Sequence, residues 1–269
     1  VRIKVPEIAV NTAEVGLLES QLRQRFNLVE QRLIIGQKEL SMLHPRSADD
    51  LIDEEAFNRD ERLPYWAEIW PSAYVLAQQI AGTLTSPRRV ACGNPALSQR
   101  EKYKEGPQET KKQPRLLELG CGCGLAVMAG LAAGYCVTAV DYYPEALDFV
   151  RLNAARNNLP QPETKIVDWR NYPADLAGFD LVVAADVLYE RDYCWLIAAA
   201  MRQSLLPGGL GLITDPQRGK AEALPDECRR AGLNICKRQV FGPLNVPGGD
   251  PDVCQRVNLF EIRRAEEQA

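Results

Sequence analysis

Between residues 115 and 231 short apolar runs alternate with stretches of helical spacing, and this alternation constrains the fold more than any other feature. RLLEL (115–119), YCVTAVD (135–141), TKIVDW (164–169) and FDLVVAADVLY (179–189) have the length and apolar content of strands, several of them buried. Between them CGLAVMAGLAAG (123–134) predicts a small-residue helix. PEALDFVRLNAARNN (144–158) predicts a second, opened by Pro144, and a third spans about 191–205. PGGLGLITD (207–215) predicts a turn and a strand, followed by a helix over 219–231. Strands alternating with helices predict an α/β fold with a doubly wound, mostly parallel sheet. NICKRQVF (234–241) and RVNLFEI (256–262) lack an intervening helix, so they predict an antiparallel C-terminal hairpin at one edge of a seven-stranded sheet.

Upstream the pattern is different. TAEVGLLESQLRQRF (12–26) has helical spacing with Thr12 as N-cap, and two extended runs follow about a turn at Gly36–Gln37. Residues 47–66 are acidic and polar, which predicts surface helix and loop, and PSAYVLAQQIAGTL (71–84) predicts a helix with Pro71 in its first turn. Residues 1–60 are therefore expected to form an N-terminal helix and hairpin extension, and residues 61–269 the main domain. Within that domain, residues 85–113 break every pattern. Seven Lys and Arg residues (88, 89, 100, 102, 104, 111 and 112) face Glu101, Glu105 and Glu109, so the segment is expected to be a solvated, flexible insertion with a local positive charge.

Bulk properties narrow the function classes. A net charge of −4 over 269 residues favours neither nucleic acid nor an anionic membrane as partner. The longest apolar runs fall short of the roughly 20 residues a spanning helix needs, and the first residues lack a signal peptide's apolar stretch. The eight cysteines (92, 121, 123, 136, 194, 228, 236 and 254) are scattered, several in apolar runs. That is the usage of reduced, buried cysteine in a cytoplasmic protein, not of a disulfide framework. His44, the single histidine, is expected on the surface or in the hairpin.

The stretch ELGCGCG (118–124) falls between a strand and a helix, where open α/β sheets bind ligands. Three ligands compete for it. A dinucleotide loop requires G-x-G-x-x-G/A, but the third position after Gly120 and Gly122 is Leu125, and Glu118 would repel a pyrophosphate. A structural metal requires about four ligands, and no second close cysteine pair accompanies Cys121 and Cys123, so no metal is expected. A cationic small molecule would be favoured by Glu118.

The E-x-G-x-G-x-G run, with Gly120, Gly122 and Gly124, resembles motif I of the class I, seven-β-strand methyltransferases, which bind S-adenosylmethionine. The following strand ends in Asp141, where an acid would hold the ribose hydroxyls. The third ends in Asp168-Trp169; the resemblance implies that the acid receives the adenine amino group and the ring packs on it. The fourth ends Asp186-Val187-Leu188-Tyr189, similar to the D-x-x-Y motif of the protein lysine methyltransferases in this group. PYWAEIWP (64–71) resembles the segment before motif I in which a tryptophan, here Trp70, lines the cofactor pocket; Trp66 is equally a core anchor.

The resemblance implies that Asp186 orients an acceptor amine and Tyr189 shapes its channel. A carboxylate there favours the ammonium, whereas burial among aromatic rings lowers the amine pKa. The expected acceptor is a protein lysine. A small amine, or a non-catalytic cofactor-binding protein, are the alternatives, and the chain is expected to act as a monomer.

Overall fold

The structure, a computed structural model, describes residues 12–51, 63–83, 113–190, 192–243 and 254–264. Helix α1 (Thr12–Arg25) leads into a hairpin of β1 (Leu28–Ile35) and β2 (Lys38–Pro45) that turns at Gly36, and α2 (Pro71–Thr83) follows. The alternating region then runs β3 (Arg115–Leu119), α3 (Leu125–Ala133), β4 (Cys136–Asp141), α4 (Pro144–Arg156), β5 (Glu163–Ile166), β6 (Phe179–Ala185), α5 (Tyr193–Ser204) and β7 (Leu205–Asp215). It closes with α6 (Leu224–Arg230), β8 (Leu233–Pro243) and β9 (Cys254–Arg264). All of the expected insertion at 85–113 but Gln113, and most of the acidic stretch at 47–66, lie outside the described residues.

The seven-stranded sheet has the order β5-β4-β3-β6-β7-β9-β8. Strands β3 to β7 pair in parallel, and β9 is antiparallel to both β7 and β8. From β3 the chain winds outward through β4 to β5, then returns to β6 on the other side. The winding therefore reverses between β3 and β6, and a crevice opens at their carboxyl ends. The small-residue composition of α3 explains its close seat on the sheet: a Cβ added at Gly130 would lie 2.9 Å from Leu116 Cδ1 and 3.2 Å from Val137 Cγ2.

Several boundaries differ from the sequence expectation, each for a local reason. Strand β5 stops at Ile166 rather than 169 because Asp168 caps a 3-10 turn, Trp169–Asn171, by accepting the N–H of Arg170. Strand β6 stops at Ala185 rather than 189 because Asp186 takes a left-handed backbone (φ 59°), which an extended ladder does not accommodate. The helix expected over 219–231 divides into a 3-10 turn, Gly219–Ala223, and α6; Pro225 belongs to the first turn of α6, where its missing N–H is harmless.

The N-terminal hairpin is bound to the main sheet's layers by side chains that satisfy its backbone. Asn153 on α4 is fully buried; its Oδ1 accepts the N–H of Leu43 (2.8 Å), and its Nδ2 donates to the carbonyls of Leu43 and Cys123 (both 3.0 Å). Asn157 repeats the exchange with Ser41, four residues on and one turn away. At the turn, Gln78 of α2 accepts from Gly36 N and donates to Ile34 O. Leu33, Leu40 and Met42 of the hairpin join Met128 and Phe149 in one continuous core. His44 lies in this hairpin, one of the two places expected for it, and is buried there; its Nδ1 sits 2.8 Å from Pro45 O, and burial holds its pKa below the ordinary histidine value.

Replacing Asn153 leaves three buried backbone groups without partners. At roughly 1–3 kcal/mol per orphaned group, partly recovered by relaxation, Asn153→Ala is expected to destabilise the fold by about 2–4 kcal/mol. Urea titration followed by circular dichroism measures this; a loss below about 1 kcal/mol would show that the staple is dispensable.

Candidate active site

The crevice at the carboxyl ends of β3, β4 and β6 is a cleft of about 1000 Å³, its open mouth included. All ten residues expected at the site line it: Trp70, Glu118, Gly120, Gly122, Gly124, Asp141, Asp168, Trp169, Asp186 and Tyr189. Gly120, Gly122 and Gly124 all have left-handed backbones (φ 69°, 50° and 87°). Their missing side chains also serve packing. A Cβ on Gly120 would lie 3.0 Å from the Trp169 ring and 3.1 Å from Val187, and one on Gly124 would lie 2.7 Å from Val150 Cγ2.

The acids of the cleft are held by the backbone around them. Asp141 accepts the N–H of Gly122 on Oδ2 (2.9 Å) and that of Tyr143 on Oδ1 (3.0 Å), so it fixes the glycine loop as well as facing the cleft. Burial nonetheless raises its pKa above the ordinary aspartate value. Glu118 is 2% exposed. Burial pushes its pKa well up, with the Val127 N–H in the first turn of α3 opposing that and the Asp141 charge adding to it. Its Oε2 has no hydrogen-bond partner, a buried acceptor lining the cleft. Asp168 lies two residues past β5 rather than at its end, and the Arg170 guanidinium grips it, with Nη2 2.7 Å from Oδ2.

The two cysteines of the loop face inward. Cys123 Sγ donates to Trp66 O (3.2 Å), and burial pushes both thiols well up in pKa, so they stay protonated and serve packing. Trp66 is a core anchor at the cleft's edge, 8% exposed, with its ring against Phe26 (5.9 Å) and Phe149 (5.8 Å).

A chain of edge-to-face rings also lines the cleft. Trp70 meets Tyr65 (6.0 Å), Tyr65 meets Tyr189 (5.4 Å), Tyr189 meets Tyr193 (5.0 Å), and Tyr193 meets Trp169 (5.4 Å). Trp70 is fixed further by donation from Nε1 to Tyr65 O (2.9 Å). Rings so placed present apolar walls and negative faces to a cation.

Asp186 lies beside this wall. Its backbone N–H donates to Thr214 O (2.8 Å), and its side chain, 6% exposed, forms an ion pair with Arg218 (Oδ1–Nη1 2.5 Å). Burial raises the Asp186 pKa to about 6; Arg218 opposes the rise, and the Asp215 charge adds to it. Tyr65, Tyr193, Arg218 and Asp215 were not expected from sequence. Asp215 had a usable signal, because it ends β7 as Asp141 ends β4. Arg218 had none: it lies in an irregular loop and reaches Asp186 only through the fold.

A strand order that reverses beside a glycine loop, with acids at successive strand ends, is the arrangement of class I methyltransferase domains, which this chain resembles. Residues 116–209 match the family model for a methyltransferase domain, and the chain resembles the protein lysine methyltransferases. The electron transfer flavoprotein beta subunit lysine methyltransferase of Danio rerio is 30% identical over 165 residues, 59% of this chain and 52% of the relative. The protein-lysine methyltransferase METTL21E of Bos taurus is 27% identical over 138 residues, 48% of this chain and 40% of the relative. The chain thus spans about half the length of the curated relatives it matches. In fold it is similar to a SAM-dependent methyltransferase from Agrobacterium tumefaciens (TM-score 0.52, 14% identity, covering 88% of this chain and 70% of that one).

Because the folded-state pKa of Asp186 lies above its unfolded value, ionising it costs stability. No cost applies below about pH 4, where both states are protonated. The cost grows between pH 4 and 6 and reaches about 3 kcal/mol above that, at 1.36 kcal/mol per unit. Asp186→Asn is therefore expected to raise stability by about 1–3 kcal/mol at pH 8 and by nothing at pH 4. Equal effects at the two pH values, by denaturant unfolding, would contradict this.

Proposed function

We propose that the protein transfers a methyl group from S-adenosylmethionine to an amine, a lysine side chain of another protein. The observation that carries this reading is the position of Asp186: a left-handed turn at the end of β6 puts it in the lining of the cleft, together with the glycine loop and the aromatic rings. The names of the relatives, both lysine methyltransferases, support the same acceptor.

The cleft's chemistry fits the methyl donor. The unpartnered Glu118 oxygen, together with Asp141 and Asp168, makes the donor side acidic, which suits a cationic ligand with hydroxyl and amino groups to donate. Trp169 and Trp70 supply flat apolar surface. We assign Glu118, Gly120, Gly122, Gly124, Asp141, Asp168, Trp169 and Trp70 to holding S-adenosylmethionine. When bound, that group supplies a sulfonium methyl whose carbon–sulfur bond breaks, the electron pair staying on sulfur, as the nitrogen–carbon bond forms.

The chain's own part is positioning, since an in-line displacement needs the nitrogen at about 3–3.5 Å from the reacting carbon. Asp186 accepts a hydrogen bond from the acceptor nitrogen and fixes its direction. Tyr189, wedged between Tyr65 and Tyr193, narrows the channel to one alkyl amine and excludes water from it. Among the described residues no helix is long and apolar enough to cross a membrane, which fits a protein acceptor met in solution.

Isothermal calorimetry with S-adenosylhomocysteine and a transfer assay together test the two halves of the site. Asp141→Ala is expected to weaken binding at least tenfold. Asp186→Ala is expected to bind S-adenosylhomocysteine like the wild type and to lose at least 99% of methyl transfer to protein. Full transfer by Asp186→Ala removes the acceptor assignment; no heat with S-adenosylhomocysteine removes the methyltransferase reading itself.

A further inference from the structure

Arg218 raises a question that the positioning of Asp186 leaves open. A bare carboxylate beside an amine stabilises the ammonium, which has no lone pair and cannot accept a methyl group. Asp186, however, is not bare. The Arg218 guanidinium is paired with it at 2.5 Å. Asp186 lines the cleft and Arg218 does not, so the guanidinium meets the carboxylate from outside the cleft lining.

The loop between β7 and α6 is built to hold this contact. Gln217 takes a left-handed backbone (φ 69°), and the Arg218 N–H donates to Asp215 Oδ1 (2.8 Å). Asp215 is fully buried, and its Oδ2 has no hydrogen-bond partner. Arg218 is therefore anchored by its backbone to one carboxylate and by its side chain to another. Guanidinium keeps its charge at every working pH, which makes arginine the side chain for a permanent counter-charge.

We propose that Arg218 is a positioning residue that offsets the charge of Asp186, so that the acceptor amine enters the cleft side as the free base. The acceptor N–H bond breaks before transfer, the proton goes to solvent, and the electron pair stays on nitrogen. Asp186 then accepts a hydrogen bond from the neutral amine without drawing the proton back. The charged groups acting on the carboxylate are Arg218 from the loop after β7 and Asp215 at the end of β7, with Lys237 of β8 acting in turn on Asp215. Of these, Arg218 is the cation in contact with Asp186.

This inference rests on the amine-acceptor reading above, so its test has one arm that needs no acceptor. Carbon-13 NMR of aspartate-labelled full chain follows the Asp186 carboxyl, assigned with Asp186→Asn. Its titration midpoint is expected to rise by about one pH unit or more in Arg218→Gln and to stay near the wild type in Arg218→Lys; one unit corresponds to a tenfold change in the ionisation ratio. An unchanged midpoint in Arg218→Gln overturns the proposal.

The second arm is the pH dependence of methyl transfer to protein. In Arg218→Gln the rising limb is expected about one unit higher, with transfer near neutral pH down roughly tenfold, restored at higher pH, and S-adenosylhomocysteine affinity unchanged. Arg218→Lys is expected to lie close to the wild type. A uniform loss at every pH marks a merely structural arginine and overturns the proposal. If the wild type methylates no protein amine, the acceptor reading fails instead, and the carboxyl titration still decides the role of Arg218.

Discussion

The parallel pairing of β3 with β6 is the constraint on which the cleft depends. Leu116 to Glu118 lie opposite Leu181 to Val183, so the two strands end side by side. The glycine loop therefore leaves β3 next to the point where Asp186 leaves β6, although 66 residues of chain separate Gly120 from Asp186. The contact is close enough that a single carbon on Gly120 would touch Val187. Because the winding reverses between these strands, no crossover helix covers their ends. One parallel ladder thus creates both the opening and its two chemically distinct sides.

The sides differ in how their charges are balanced. On the side assigned by our proposal to the methyl donor, Asp141 is bonded to backbone N–H groups, and Glu118 keeps one oxygen unsatisfied. Such buried acidity is unfavourable for folding and is offset by apolar packing elsewhere, a common arrangement where a site is shaped for a cation. On the other side, Asp186 is buried to a similar degree but has a fixed arginine against it. A group that only binds a cation gains nothing from a resident counter-cation. A group that must hold an amine without protonating it does.

Much of this was legible in the sequence because it depends on periodicity and on strand ends. The seven strands, their parallel and antiparallel parts, and the acids at the carboxyl ends of β3, β4 and β6 all follow from the alternation of apolar runs and helices. What was not legible depends on single side chains meeting across the fold. Asp168 looked like a strand-end acid, yet its own local hydrogen bond to Arg170 ends the strand early and turns the segment into a capped turn. Asn153 looked like an ordinary helix residue, yet it joins the hairpin and the glycine loop to α4. Arg218 sits in a loop with no periodic pattern, and its partner is 32 residues away in sequence. Patterns of hydrophobicity carry no record of such pairings. His44 shows a finer limit: its place in the hairpin was legible, its burial there was not.

The central claim is that the acceptor is a lysine amine of a protein, and the chemical identity of the methylated group tests it most directly. The chain would be incubated with methyl-labelled S-adenosylmethionine and the protein fraction of a cell lysate, and the protein hydrolysed in acid and separated into amino acids. The account predicts that the label is recovered in N-methylated lysine. Label recovered only in small metabolites, in methyl esters or in methylated arginine would contradict it.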